Sequence, residues 1–121
     1  MRIETPLSDR LERYLDLASE QTRLTAENMA NIDTPGYRAV GMDFAAEMGK
    51  AIGGADAGGG AQPVHVRYED GLVARPDGNN VSMDRESLNL AETQLKFRTG
   101  ISLLRVQYQM TMDAIHADSG K

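Results

Sequence analysis

Leu7, Leu11, Tyr14, Ala18, Gln21, Thr25, Asn28 and Ile32 follow one another at alternating spacings of four and three, with Leu15, Leu17 and Leu24 beside them. That spacing lays one continuous stripe along a helix, predicted here over about residues 6–31. Thr5-Pro6 marks its start, a cap followed by proline at the first helical position, with Ser8 and Asp9 in a polar first turn. The stripe changes from Leu and Tyr in its first half to Gln21, Thr25 and Asn28 in its second, and polar positions on a packing seam can fix register at some cost in stability. A second stripe, Leu90, Gln94, Phe97, Ile101, Leu104, Tyr108, Thr111 and Ile115, predicts a helix from Asp84, its N-cap, to about Ala117, with Glu86 in the first turn. Leu88, Ala91, Leu95, Leu103, Val106 and Met110 give this helix a further apolar face, more than one partner helix would cover. Gly100 interrupts it at a cost of about 1 kcal/mol relative to Ala and reads as a tolerated imperfection rather than a crossing point. Glu92 with Lys96 and Asp9 with Arg13 sit four apart and read as solvated ion pairs.

The intervening chain is more broken. Pro35 lacks an N–H and pushes Thr34 out of the helical region, and Gly36 can take a positive φ, so Thr34-Pro35-Gly36-Tyr37 ends the first helix abruptly. Val40, Phe44 and Met48 then predict one short helical segment with Asp43 and Glu47 facing outward. Residues 51–61, AIGGADAGGGA, are nearly all Gly and Ala and read as a flexible loop. Val64–Tyr68 alternates apolar and polar residues beside two turn-rich runs, Glu69-Asp70-Gly71 and Arg75–Asn80, which predicts a small β-hairpin. The expectation is a mainly α chain. Residues 1–32 and 84–121 form two long helices that pair as an antiparallel coiled-coil hairpin, and residues 33–83 form an irregular insertion between them.

Composition narrows what such a chain can do. Leu, Ile, Val and Phe make up only about a fifth of the 121 residues, at the boundary where burial struggles to offset conformational entropy. An isolated copy is therefore expected to be loosely helical or largely disordered. The net charge of −5 and the lack of any Lys/Arg cluster argue against nucleic acid and acidic membranes as partners. No cysteine is present, so thiol and disulfide chemistry are excluded. MRIETPLSDRLERYLDL contains no continuous apolar stretch, so neither a cleaved signal nor a membrane span is expected there.

Candidate chemistry is sparse. His65 and His116 stand apart from carboxylates at ligand spacing, and Asp16, Glu20 and Glu27 read as a solvated helix face rather than an acid–base pair. Gly53-Gly54 and Gly58-Gly59-Gly60 lack the strand, helix and lysine of a phosphate cradle. No enzyme, cofactor or metal site is predicted.

One motif is specific. Ala30-Asn31-Ile32-Asp33-Thr34-Pro35-Gly36-Tyr37, with Asn28 just before it, resembles the ANxxTPGY signature of the axial proteins of the bacterial flagellum, the rod, hook and hook-associated subunits. Asp77-Gly78-Asn79-Asn80-Val81, followed by Asp84 and Glu86, is similar to the proximal-rod branch of that family, as is Phe44. The resemblance implies a structural subunit, exported through the flagellar type III apparatus without a cleaved signal, that polymerises into the periplasmic rod of the basal body. It implies as partners further copies of the chain, other rod subunits, and basal-body adaptor and export-gate proteins, with no membrane insertion.

It also implies assembly roles for Asn28, Ala30, Asn31, Thr34, Pro35, Gly36, Tyr37 and Asp77–Val81, and a packing seam through Leu7, Leu11, Tyr14, Ala18, Leu90, Phe97, Ile101, Leu104, Tyr108 and Ile115. An FlgC-like rod subunit is the alternative within the family. Val106-Gln107-Tyr108-Gln109 does not reproduce the arginine–tyrosine–asparagine pattern of that type. Outside the family, a cytosolic helical adaptor or export chaperone would share the heptads but has no reason to carry either motif.

Overall fold

The computed structural model describes residues 6–53 and 63–119. Helix α1 spans Pro6–Ala30, strand β1 Val40–Gly41, helix α2 Phe44–Gly53, strand β2 Arg67–Tyr68 and helix α3 Met83–Ser119. The architecture is mainly helical with one small antiparallel sheet. The predicted Thr5 cap and most of the Gly/Ala run lie outside the described residues, and the start of that run completes α2.

Three contacts fix how α1 meets α3. Asn28 bonds Glu86, Tyr14 and Leu15 lie against Gly100, and the Tyr108 hydroxyl donates to Glu12 at 3.1 Å. The order along α1 is reversed along α3, so the two helices run in opposite directions. Among the positions of α3 whose burial is described, those buried are Glu86, Thr93 and Gly100, so at two levels the buried residue falls one position before the predicted Gln94 and Ile101. Small residues win there because they let the backbone approach closely. A Cβ on Gly100 would stand 2.8 Å from Leu15 Cδ2 and 3.0 Å from Tyr14 Cδ1, so this glycine is a crossing point and not a tolerated flaw.

The middle of the chain packs over this pair. Asp43 caps α2 by accepting the Ala46 N–H at 3.0 Å, so Val40 belongs to β1 and not to the short helix. The Phe44 ring meets Tyr14 edge-on at 5.2 Å, and the Lys96 ammonium sits 4.1 Å from its centre. Lys96, predicted as half of a solvated ion pair, instead lays its stem and charge over an aromatic ring. Leu17, Leu24 and Met42 form the apolar core, with Val40, Phe44, Met48 and Val64 against it.

Glu47 also departs from expectation, for it is buried, and its Oε1 accepts the His65 N–H at 3.2 Å and the Lys50 ammonium at 3.3 Å. Burial pushes this carboxyl up, but the His65 and Lys50 hydrogen bonds outweigh it and leave it below its ordinary value. The carboxylate thereby ties the returning chain to α2. From there β2 pairs Tyr68 with Val40 and Arg67 with Gly41. The sheet is therefore no local hairpin, because α2 lies between its strands. Ser82, not Asp84, opens α3, its backbone carbonyl accepting the Glu86 N–H at 2.9 Å.

Candidate functional site: a junction of two polar turns

At the end of α1 the helix leaves carbonyl groups without intrahelical partners. Asn31 answers part of this itself, donating from Nδ2 to the Glu27 carbonyl at 2.8 Å while its Oδ1 accepts the Thr34 hydroxyl at 3.1 Å. Two carbonyls of the turn, already bonded to the Thr34 and Tyr37 N–H groups, gain a second donor from 48 and 45 residues away. Asn79, fully buried, donates from Nδ2 to the carbonyls of Asn31 at 2.9 Å and Thr34 at 2.8 Å. Its Oδ1 accepts the Val81 N–H at 2.8 Å, so the amide is used at both ends. Arg75 adds its guanidinium to the Ile32 carbonyl.

The two turns also bond through their backbones. Gly36 N–H donates to the Asp77 carbonyl at 2.8 Å, and Asn80 N–H donates to the Tyr37 carbonyl at 3.3 Å. Gly36 and Gly78 hold φ angles of 75° and 85°, which residues with a Cβ adopt at a cost. A Cβ on Gly78 would come within 3.4 Å of the Gly36 Cα, so the glycines also set the spacing of the turns.

Asn28, one turn back on α1, holds the other side. Its Oδ1 accepts the Val40 N–H at 2.9 Å and the Tyr37 hydroxyl at 3.1 Å; its Nδ2 donates to the Val40 carbonyl at 2.8 Å and to Glu86 Oε1 at 3.1 Å. A buried side-chain amide with four good partners is fully satisfied. Towards Val40 it acts as a strand would, pairing both backbone groups of one residue. The Ala39 N–H goes to Asn80 Oδ1 at 2.6 Å. Burial, with Glu27 and Glu86 nearby, pushes the Tyr37 phenol up, so it remains a hydrogen-bond donor across the neutral range.

Of the residues the motifs single out, the structure brings Asn28, Asn31, Thr34, Gly36, Tyr37 and Asp77–Val81 into one network, while Pro35 and Ala30 face solvent. Glu86, Arg75 and Val40 belong to the same network; the sequence marks Glu86 only as part of the second motif and as a first-turn acid, and does not mark Arg75 and Val40 for it. Glu86 in the first turn of α3 looks like a dipole-favoured surface acid, and nothing local marks it as buried. Along the seam, Ala18 is buried, Leu11, Tyr14, Leu90, Ile101, Leu104 and Ile115 are half-buried, and Leu7, Phe97 and Tyr108 are more open. Glu20 and Glu27 clamp Arg23 at 2.6 and 3.1 Å on the outer face of α1. Among the described residues no cluster of His, Asp or Glu could hold a metal ion.

No family model matches the chain. Its relatives do. It is 34% identical, across 86% of its length and 88% of theirs, to the flagellar basal body rod protein FlgB of Salmonella typhimurium. The chain belongs to the FlgB family. FlgB of Cereibacter sphaeroides is 32% identical over 86% of this chain and 89% of its own. FlgB of Escherichia coli is 30% identical over 88% and 90%. Membership of the FlgB family makes this chain a structural part of the flagellar rod and not an enzyme. No helix among the described residues is long and apolar enough to cross a membrane.

Proposed function

We propose that the chain polymerises in the proximal rod through its two terminal helices, paired as a coiled coil, with residues 1–32 and 84–121 as the polymerising core and residues 33–83 carried outside it. The observation that supports this most is the second apolar face of α3. Leu95 and Met110 are 67% and 62% exposed, and Leu88, Leu103 and Val106 are exposed alongside them. Past Gly100 no described residue of α3 is buried. Apolar surface of this extent along a long helix is covered in an assembly, by contacts that repeat from one copy to the next and so extend rather than close. The polar junction sets the angle at which the chain leaves that core, which is the assembly role assigned to Asn28, Asn31, Thr34–Tyr37 and Asp77–Val81.

Partners on this reading are further copies, other rod subunits, and the adaptor and export-gate proteins at the rod's base. The chain reaches the periplasm through the flagellar type III apparatus. The test is basal-body fractionation of cells carrying Leu95→Ser with Leu103→Ser. The variant chain is expected at normal abundance in whole cells and absent from purified basal bodies, with motility lost. Normal incorporation would remove the second face of α3 from the assembly.

A further inference from the structure

The first turn of α3 borders a polar, half-open pocket of about 180 Å³ against α1 and β2, lined by Gln21, Thr25, Arg67, Glu69, Arg85 and Asn89 as well as Glu86. Glu86 is 1% exposed. One of its oxygens accepts the Asn28 amide at 3.1 Å; the other is buried and makes no hydrogen bond of good geometry, although the Asn89 side-chain amide, on the same pocket wall, lies close enough to favour a charge there. Gln21 Oε1, lining the same cavity, is likewise buried without a donor. Both residues line this pocket, and two buried acceptors without a donor cost free energy. A proton on Glu86 supplies the missing donor.

We propose that Glu86 is a neutral carboxylic acid in the closed junction, its O–H turned towards Gln21, and that its ionisation loosens the contact between α1 and α3. The charged groups around it agree. Arg85, on the same helix, is committed to Glu69 at 3.0 Å, and Glu69 repels a second negative charge. Arg67, from β2, is exposed at the cavity wall. α1 presents only the uncharged Gln21, Thr25 and Asn28, and the Tyr37 phenol beyond Asn28 is neutral. Burial pushes the Glu86 carboxyl up. The Asn28 amide and Arg85 pull against it, Glu69 pushes with it, and Asn89 pulls back, and the balance stays upward.

A folded-state value raised above the unfolded one gives stability that is complete below the ordinary carboxylate range and is lost as pH rises through the folded value. Glu20 and Glu47 are shifted the other way, so their contributions change below that range and leave the window above it to Glu86. The rivals are an ionised Glu86 that accepts the Gln21 amide turned over to present its NH2, or the Asn89 amide, and an ionised Glu86 bridged to Gln21 by a water. None of them needs a proton.

The full-length chain, labelled at its glutamate carboxyl carbons, is followed by NMR from pH 4 to pH 9, with Glu86 assigned by its absence in Glu86→Gln. The Val40 and Val81 amides report whether the junction is closed. The expected result is one carboxyl titrating above the ordinary range, with both amides shifting at the same midpoint. Glu86→Gln, which keeps a donor towards Gln21 and an acceptor for Asn28, is expected to hold the amides in their closed positions throughout. Titration at the ordinary value, an opened junction in Glu86→Gln at every pH, or no closed junction at any pH would each overturn the proposal. The measurement is made on the free chain, so it stands or falls separately from the assembly reading.

Discussion

The two ends of the α1–α3 pair are built on different principles. At the junction, the end of α1, the two glycine turns and the first turn of α3 satisfy one another through buried amides, and nearly every polar atom is used inside one copy. Along the far half of α3 an exposed hydrogen bond, Tyr108 to Glu12, reaches α1, and the apolar surface is unfinished, with half-buried residues on one side and exposed Leu103, Val106 and Met110 on another. A polar network closes on itself because each donor needs one placed acceptor. An apolar stripe accepts any neighbour of the right shape and gains by every Å² it covers. One end of the molecule is thus specified internally and the other is left for company, an arrangement suited to a rod subunit.

Substitutions should separate the two ends. Asn28→Ala strands the N–H and carbonyl of Val40 and one oxygen of Glu86, so it should cost about 3 kcal/mol or more by the price of buried unpaired groups. Composition alone predicts a loosely helical or largely disordered isolated copy, whereas a junction closed within one copy predicts a cooperative transition. Denaturant titration of the free chain, followed by circular dichroism, decides between them, and a loss under 1 kcal/mol in Asn28→Ala would show that the network does not hold the junction. Asn79→Ala leaves the buried Val81 N–H unpaired and takes one of two donors from the carbonyls of Asn31 and Thr34, which keep the Thr34 and Tyr37 N–H groups, and should cost about 2 kcal/mol in the same titration. Gly100→Leu wedges the helices apart at Leu15 and Tyr14, with an expected cost of about 1–2 kcal/mol by overpacking. Gly100→Ala should come out within about 1 kcal/mol of neutral, since helix propensity offsets the strain on two movable side chains. Leu95→Ser should be the mildest of all in the free chain, within about 0.5 kcal/mol as an exposed position. The same change should nevertheless reduce incorporation into basal bodies. An equal stability loss at Leu95 and Asn28 would erase the distinction between the two ends.

How much of this could be read along the chain follows the same division. Helices declare themselves by period, so α1 and α3 emerge close to their observed bounds, and Pro35-Gly36 marks the stop at the end of α1. Both polar motifs are visible as sequence. Their mutual docking is not, because Asn79 meets Asn31 and Thr34 across 45 or more residues and no local pattern records a partner so far away. The same limit explains Glu47 and Glu86, acids whose burial depends on His65 and Asn28, and the pairing of β2 with β1 instead of a neighbouring strand. The one-residue offset of the α3 seam has another cause. Hydrophobicity ranks Ile101 above Gly100, but close approach favours the residue with no side chain.

Hydrogen exchange along the dilute free chain tests the central contrast most directly. The account predicts slow exchange at the Val40 and Val81 amides and in the adjoining turns of α1 and α3, with fast exchange in α3 beyond Gly100 that slows once the chain is assembled. Uniform protection along the whole of α3 in the solitary chain, or none at the junction, would contradict it.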